Sequence, residues 1–536
     1  MNSLLQHFSI NTAFVLLTSF CVAADEKQLC EQSDNVKYVT HDIFDLTDEG
    51  TIFLHDWANF LHIKTKYSTL RHESAFFLNK CQFIEEDLSE LERHLRAKKY
   101  IRNASVSYDE DNKVAVETWD NWSLMPTLDF GRKGGKNKLG IGIQERNLLG
   151  LGINAELEYF RNDQRSGFKL KTQFPLTFLD NTNARLRLTN SDDGTSEAMF
   201  VQKKFVSFDT QNAYILGFDN FNQVDTLYEN GVESNQYRHE KSFKTASWHW
   251  LHNDSASDTL RFGLGFTQED HTFLLDQDTP LTGAFADSIL PANREFSYPF
   301  VAVEYLQKEY RKLTNINLIN QIEDFNLGWN ASANIGTGLN SNEGSPSLIW
   351  QSQVSKGAQL LKNSYWFFEA EFAGETYRNS QFKDRMLLQL TNEYFHKFND
   401  YWGAYFKNIN QIGKNQYADS PLVLGGETGV RGFPLQYQHG QHSTQFSFEA
   451  RYYPHINIYK LLELGAAAFV DTGRVFNPTE TSQQQSPQMT SIGLGMRFYS
   501  THSSEARVIH LDVIKPITSD PNVNSIEIRA TTKYSF

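Results

Sequence analysis

"TQFSFEARYYP", residues Thr444–Pro454, decides how this chain is read. Phe446, Phe448, Ala450 and Tyr452 occupy every second position, and Glu449 and Arg451 fall between them. Successive side chains of an extended strand point to opposite faces, so this segment has one apolar face and one charged face. A helix would scatter the two sets around its axis. The segment that follows behaves the same way: Leu462, Leu464, Ala466 and Val470 share a face opposite Glu463, Phe469 and Asp471. Working outward, "GINAELEYF" (Gly152–Phe160), "FKLKTQF" (Phe168–Phe174), "SIGLGMRF" (Ser491–Phe498) and "VIHLDVI" (Val508–Ile514) repeat the alternation. Polar turns such as "GGKNK" and "NSDDG" separate them. Period-2 segments of about ten residues, sustained over 121–536, predict a transmembrane antiparallel β-barrel.

The bulk properties agree. The chain of 536 residues carries a formal charge of −14, which argues against a nucleic-acid partner held through phosphates. Mean hydropathy is −0.50, and no apolar run long enough for a membrane-spanning helix follows the N-terminus. A propeller would show internal repeats of about 40 residues, and none is found. The 41 phenylalanines and 23 tyrosines suit aromatic girdles, as do "WHW" (Trp248–Trp250) and "YWGAYF" (Tyr401–Phe406). At the start, Phe14–Leu17 and Phe20–Ala24 form a short apolar core that ends in small residues, so 1–24 is expected to be a signal peptide. Export leaves Cys30 and Cys81 in an oxidising compartment, where a disulfide between them is expected; two buried, unpaired thiols are the alternative.

Residues 25–120 have a different texture. "FIEEDLSELERHLRAKKYI" places Leu88, Leu91 and Leu95 at helical spacing, with an acidic start and a basic end that suit the helix dipole. With the strand "VKYVTHDIFDL", the helix "STLRHESAFFL" and the alternating pair "NASVSYDED" and "KVAVETWD", the expected order is strand, helix, helix, strand, strand. No catalytic motif occurs: G-x-S-x-G, H-E-x-x-H, a Walker loop and C-x-x-C are all missing. His249 and His252 have helical ligand spacing, but on a strand they face opposite ways. Carboxylates such as Glu156 and Glu158 are ordinary lumen-facing groups of a barrel. No enzyme activity, catalytic residue, metal or cofactor is expected.

One glycine-rich stretch stands apart. "LVLGGETGVRGFPLQYQHG" (Leu422–Gly440) holds Val430-Arg431-Gly432-Phe433 at its centre. This loop, then "TQFSFEARYYP", then "FVDTGRVF" (Phe469–Phe476), then a terminal Phe536, resembles the BamA/TamA superfamily of outer-membrane assembly and secretion factors. "ERNLLGLG" (Glu145–Gly152) near the barrel's start is similar too, and residues 25–120 resemble a single POTRA domain. The resemblance implies a mainly β fold: a bacterial surface antigen type barrel of 16 strands, preceded by one small α+β domain in the periplasm. The alternating segments themselves number nearer 20. Family members carry two POTRA domains with a plug helix, or five POTRA domains; the segment before this barrel has room for one.

The same resemblance implies that loop 422–440 folds back into the barrel as a lock built from Val430, Arg431, Gly432 and Phe433. Asp471 and Glu449 face inward on the two strands that follow; Arg431 is expected to fork onto Asp471, with Glu449 near enough to share its charge. Tyr534 and Phe536 are expected to carry the barrel's own assembly signal. The implied location is the bacterial outer membrane. The implied function is assembly, insertion or translocation of unfolded outer-membrane or secreted polypeptides, with membrane lipids and periplasmic chaperones as further partners. A passive channel or surface-binding barrel of the same architecture is the alternative.

Overall fold

The computed structural model describes residues 36–533 apart from 45, 47–52, 79–82, 112, 134, 230–231, 276–289, 341–343, 379–381, 427, 459–461, 478–485 and 501–507. The signal peptide, Cys30, Cys81, Tyr534 and Phe536 lie outside the described residues.

The N-terminal part is a three-stranded sheet with helices packed on it. Strand β1 (Val36–His41) pairs in parallel with β3 (Val114–Asp120), and β2 (Ile101–Tyr108) pairs antiparallel with β3, giving the order β1-β3-β2. Helices α1 (Phe53–Leu61), α2 (Tyr67–Glu73), α3 (Ala75–Leu78) and α4 (Glu85–Arg96) connect β1 to β2. In α4, Leu88, Leu91 and Leu95 fall on one face and are buried with Leu70, Phe77, Val114 and Val116. Its N-terminus is closed by the Asp87 carboxylate, which accepts the Ile84 amide at 2.9 Å. Helix α1 is additional to the expected order, and its Phe53, Trp57 and Phe60 are exposed.

A buried polar cluster ties α2 to α4. Glu73 accepts from Tyr100 Oη at 2.9 Å, contacts His94 Nε2 at 3.4 Å and pairs with Lys98. Burial alone would raise the Glu73 carboxyl, but Lys98 and His94 outweigh it and hold the group well below the usual carboxylate range. Burial lowers His94 despite its bond to Glu73. Both folded-state values lie below the unfolded ones, so each group contributes stability that is lost as pH falls. His94 acts below about pH 6.5 and Glu73 below about pH 4.3. Hydrogen exchange across Glu85–Arg96, corrected for intrinsic rates, should accelerate stepwise through those two windows. Glu73→Gln should flatten the lower step, and unchanged steps in that variant would refute the assignment.

From Leu124 the chain forms a closed antiparallel barrel of 20 strands, not 16. The reason lies in the turns. Ser191 and Gly194 close a hairpin across two residues, and Asp254 and Asp258 another across three, so the wall gains strands where long loops were expected. Outward positions such as Leu128, Ile141, Leu157, Phe168, Leu264, Val301, Phe448 and Val513 are exposed and apolar, which gives the exterior the character of a lipid-facing belt.

The wall is uneven in height. Strands Asn212–Glu229, Val232–Asp254 and Asp258–Leu274 have 18, 23 and 17 residues. Where the barrel closes, β4 (Leu124–Lys133) has 10, Val508–Pro516 has 9 and the last described strand, Glu527–Lys533, has 7. A tilted strand needs about 9–11 residues to cross a bilayer, so the closing strands barely span one. The closure itself rests on a single register pair among the described residues, Ala530 opposite Arg132.

The N-terminal domain sits against one end of the barrel, here called proximal. The turn between β5 (Lys136–Leu148) and β6 (Ile153–Arg161) receives it: Gly150 O accepts from Lys66 N at 3.0 Å and from Thr69 Oγ1 at 2.7 Å. Gly150 has φ +73°, and a Cβ there would lie 2.4 Å from Lys64 O, so the glycine of "ERNLLGLG" is required by this close approach. On the other side Glu90 accepts the Phe208 amide at 3.2 Å, and the Arg93 guanidinium lies 5.6 Å and 5.0 Å from the Phe208 and Tyr310 rings.

Candidate functional site

Two elements fold into the barrel, one from each end. From the distal end comes the 422–440 loop. Leu422–Leu424 pairs with Gln438–Gly440 as a small hairpin, and the segment between them dips inward. Val430 and Phe433 are fully buried in an apolar cluster with Leu424, Tyr437, Val475, Met489 and Val523. Gly432 has φ +90°, and a Cβ on it would meet Ile514 Cγ2 at 2.8 Å. A Cβ on Gly429 would meet Gln445 Oε1 at 1.6 Å. These glycines let the backbone lie against the wall. The loop also crosses to the tallest part of the wall, where Gln436 Oε1 accepts the Tyr228 amide at 3.0 Å and His439 Nε2 lies 2.8 Å from Tyr228 O.

Arg431 is held on every side. Its Nε donates to Asp471 Oδ2 at 2.6 Å and its Nη2 to Asp471 Oδ1 at 2.7 Å, a planar fork on a carboxylate. Its backbone N–H reaches the same carboxylate at 3.3 Å. Nη2 also donates to Ser447 Oγ at 3.1 Å, and Ser447 in turn donates to Asp471 Oδ1 at 2.7 Å. Nη1 lies 3.1 Å from Glu449 Oε1, and the guanidinium stacks 3.4 Å from the Phe469 ring centre. Ser447, Glu449, Phe469 and Asp471 share the inward face of the two strands after the loop, His442–Tyr452 and Leu462–Phe476. The structure therefore brings Val430, Arg431, Gly432, Phe433, Glu449 and Asp471 to one place. Ser447 and Phe469 join them without having been singled out from sequence; the period that puts Glu449 and Asp471 inward puts them inward too.

From the proximal end comes a hairpin with no sequence forewarning, Tyr310–Thr314 and Ile322–Asn326. Glu323 accepts the amides of Ile316, Asn317 and Leu318 at 3.0–3.2 Å and so organises its tip. Ile316 and Ile319 are buried, Ile319 against Tyr453, Ala467, Tyr499 and Val508. Arg451 donates from Nη1 to Ile316 O at 3.0 Å, and Asn320 Nδ2 donates to Glu463 Oε2 at 3.0 Å.

The two inserted elements meet at one carboxylate. Glu449 contacts Arg431 of the distal loop through Oε1, and its Oε2 accepts from Arg451 Nε at 3.0 Å. Arg451 then holds the proximal hairpin. Glu449→Gln keeps the size of the side chain but cannot neutralise two buried guanidiniums. Limited proteolysis should find both 310–326 and 422–440 more accessible in this variant. Loosening of the loop alone would show that the hairpin is held independently.

A cavity of about 670 Å³ opens beside the closure. Lumen-facing Lys169, Lys171 and Arg187 line it together with Leu128, Phe498 and Ile509, whose side chains lie on the exterior face. The space thus has lumen-facing groups on one side and exterior-facing groups on the other, beside the closure that shows one register pair among the described residues.

No protein-family model matches the chain, and no curated protein sequence matches it. Among solved structures it is similar to CdiB from Escherichia coli, at 12% identity and a TM-score of 0.47, over 93% of this chain and 76% of that one. It is also similar to CdiB from Acinetobacter baumannii, at 12% identity and a TM-score of 0.44, over 88% and 71%. BamA from Haemophilus ducreyi lacking POTRA domains 1-3 aligns at 12% identity and a TM-score of 0.38, over 93% and 84%. Likeness at this level assigns no residue a role.

Proposed function

We propose that this chain is an outer-membrane factor of the BamA/TamA kind that inserts or passes unfolded polypeptides, with its N-terminal domain acting as a single POTRA-like module in the periplasm. The observation that carries the proposal is the bidentate Arg431–Asp471 lock of an inserted loop, in a barrel whose closure shows one register pair among the described residues. The proximal end is then the periplasmic one. A client would add as a strand to an outer strand of the β1-β3-β2 sheet, since edge strands present unpaired amides and carbonyls. It would move from there to the closing strands or into the lumen. The signal peptide, the Cys30–Cys81 disulfide and the assembly signal at Tyr534 and Phe536 belong to the same proposal.

The passive-channel alternative is less well supported, because a loop and a hairpin occupy the lumen from opposite ends. A photo-crosslinking residue at Lys37 on β1, and another at Ile528 on the last described strand, separates the two readings in cells. An assembly factor yields polypeptide adducts at both positions. A channel yields none, and that result would overturn the proposal.

A further inference from the structure

Among its described side chains, helix α1 turns polar groups inward and aromatic ones outward, the reverse of what suits a domain in water. Its polar side packs inward: the His55 ring stacks on Phe44 at 4.3 Å, and the Asn59 amide group bonds Phe44 N and O at 3.1 and 2.8 Å. Its outward side carries Phe53, Trp57 and Phe60, which are 80%, 54% and 83% exposed. At 3.6 residues per turn these three lie within about 60° of arc, a single aromatic stripe. An exposed apolar stripe on a helix otherwise fixed in place marks an interface.

The position of α1 indicates what it meets. Just beyond its C-terminal end, His62 Nε2 lies 2.8 Å from Asp120 Oδ2, and the Thr65 amide and hydroxyl reach the same carboxylate at 2.7 and 2.9 Å. Asp120 ends β3, and the first barrel strand β4 starts four residues later at Leu124. Lys66, six residues after Phe60, is bonded to the β5–β6 turn, where Leu148 and Leu149 are exposed. Six residues of chain reach at most about 20 Å, so the stripe ends close to the rim of the lipid-facing belt.

We infer that α1 is a membrane-interface anchor: Phe53, Trp57 and Phe60 lie in the headgroup–acyl boundary of the leaflet nearest the N-terminal domain, beside the closing strand β4. Tryptophan and phenylalanine on one face of a helix parallel to the bilayer are suited to that boundary, and the turn that receives Lys66 adds exposed apolar surface at Leu148 and Leu149. Lys66 is exposed just beyond the helix's C-terminal end, where anionic headgroups would lie, while Lys64 beside it pairs with Asp42 at 2.9 Å. The anchor holds the domain at the foot of the closure. The inference depends on the barrel spanning a membrane and is independent of what the barrel does with clients.

The test uses the full chain refolded into vesicles of phosphatidylethanolamine and phosphatidylglycerol, with Cys21, Cys30 and Cys81 replaced by serine. A spin label goes on Phe60→Cys, and in a second protein on Glu110→Cys. Glu110 lies in the exposed β2–β3 turn, separated from Asp120 by the 7-residue strand β3. Collision with oxygen and with a water-soluble nickel chelate is then measured by electron paramagnetic resonance. At position 60 oxygen should collide far more often than nickel; at position 110 nickel should dominate. Nickel access at 60 equal to that at 110 would overturn the anchor. Exclusion of both reagents at 60 would also overturn it, in favour of a protein partner. Both substitutions are at exposed positions, and heat-modifiable mobility confirms that the barrel is folded in each protein.

Discussion

Arg431→Ala should free the inserted loop and, on the proposed function, impair client assembly while leaving the barrel folded. Asp471→Ala does nearly the same. Arg431 and Asp471 are both almost fully buried, and the fork between them is made by bonds of 2.6 and 2.7 Å. Removing one member of a buried pair leaves an uncompensated charge and typically costs ~3–5 kcal/mol. The barrel wall is held by backbone ladders that neither substitution touches, so the loss falls on the loop. Arg431→Lys should also fail, because an ammonium cannot fork onto Asp471 or stack flat on Phe469. The double variant Arg431→Ala/Asp471→Ala should be little worse than either single one, with a coupling of ~0.5–3 kcal/mol expected for partners in contact. Client assembly and protease access to 422–440 are the two readouts. Strictly additive effects, or a loop equally accessible in the unaltered protein, would remove the lock from the mechanism.

A disulfide across the closure should separate insertion from translocation. Ala530 and Arg132 are directly opposite each other in the one register pair that joins the last described strand to β4. Both are outward positions, and directly opposed strand residues place their Cβ atoms about 4.5–5.5 Å apart, close to the reach of a disulfide. In a background lacking Cys21, Cys30 and Cys81, Ala530→Cys/Arg132→Cys should form the bridge on oxidation. If clients are built into the membrane through the closure, oxidation abolishes assembly and reduction restores it. If they pass along the lumen instead, the oxidised protein keeps its activity, and the cavity between Lys169 and Ile509 has no part in transport. The reduced variant serves as the control for folding.

Much of this architecture is written in local sequence. Strand periodicity is a property of consecutive residues, so the apolar exterior at Phe448, Val470 and Val513 and the inward set at Glu449, Phe469 and Asp471 follow from alternation alone. Helix α4 follows from Leu88, Leu91 and Leu95 in the same way. A single arginine among five glycines, upstream of strands with inward carboxylates, also pointed to the residues that meet in the lumen.

What tertiary structure alone decided is whatever depends on residues distant in the chain. The strand count is 20 because turns such as the one between Ser191 and Gly194 are tight, and turn length is not carried by period 2. How the loop backbone passes along the wall to reach Asp471, with Gly432 against Ile514, is set by packing across the lumen. The proximal hairpin at 310–326 has no distinguishing sequence signal; the Arg451–Ile316 bond and the Ile319 contacts place it inside the barrel. For α1 the aromatic spacing is visible in sequence, but its outward direction is set by Phe44, His55 and Asn59, which take up the other face. Alternation tells a strand which side is apolar, but only long-range packing determines which partner, which end and which neighbour that side meets.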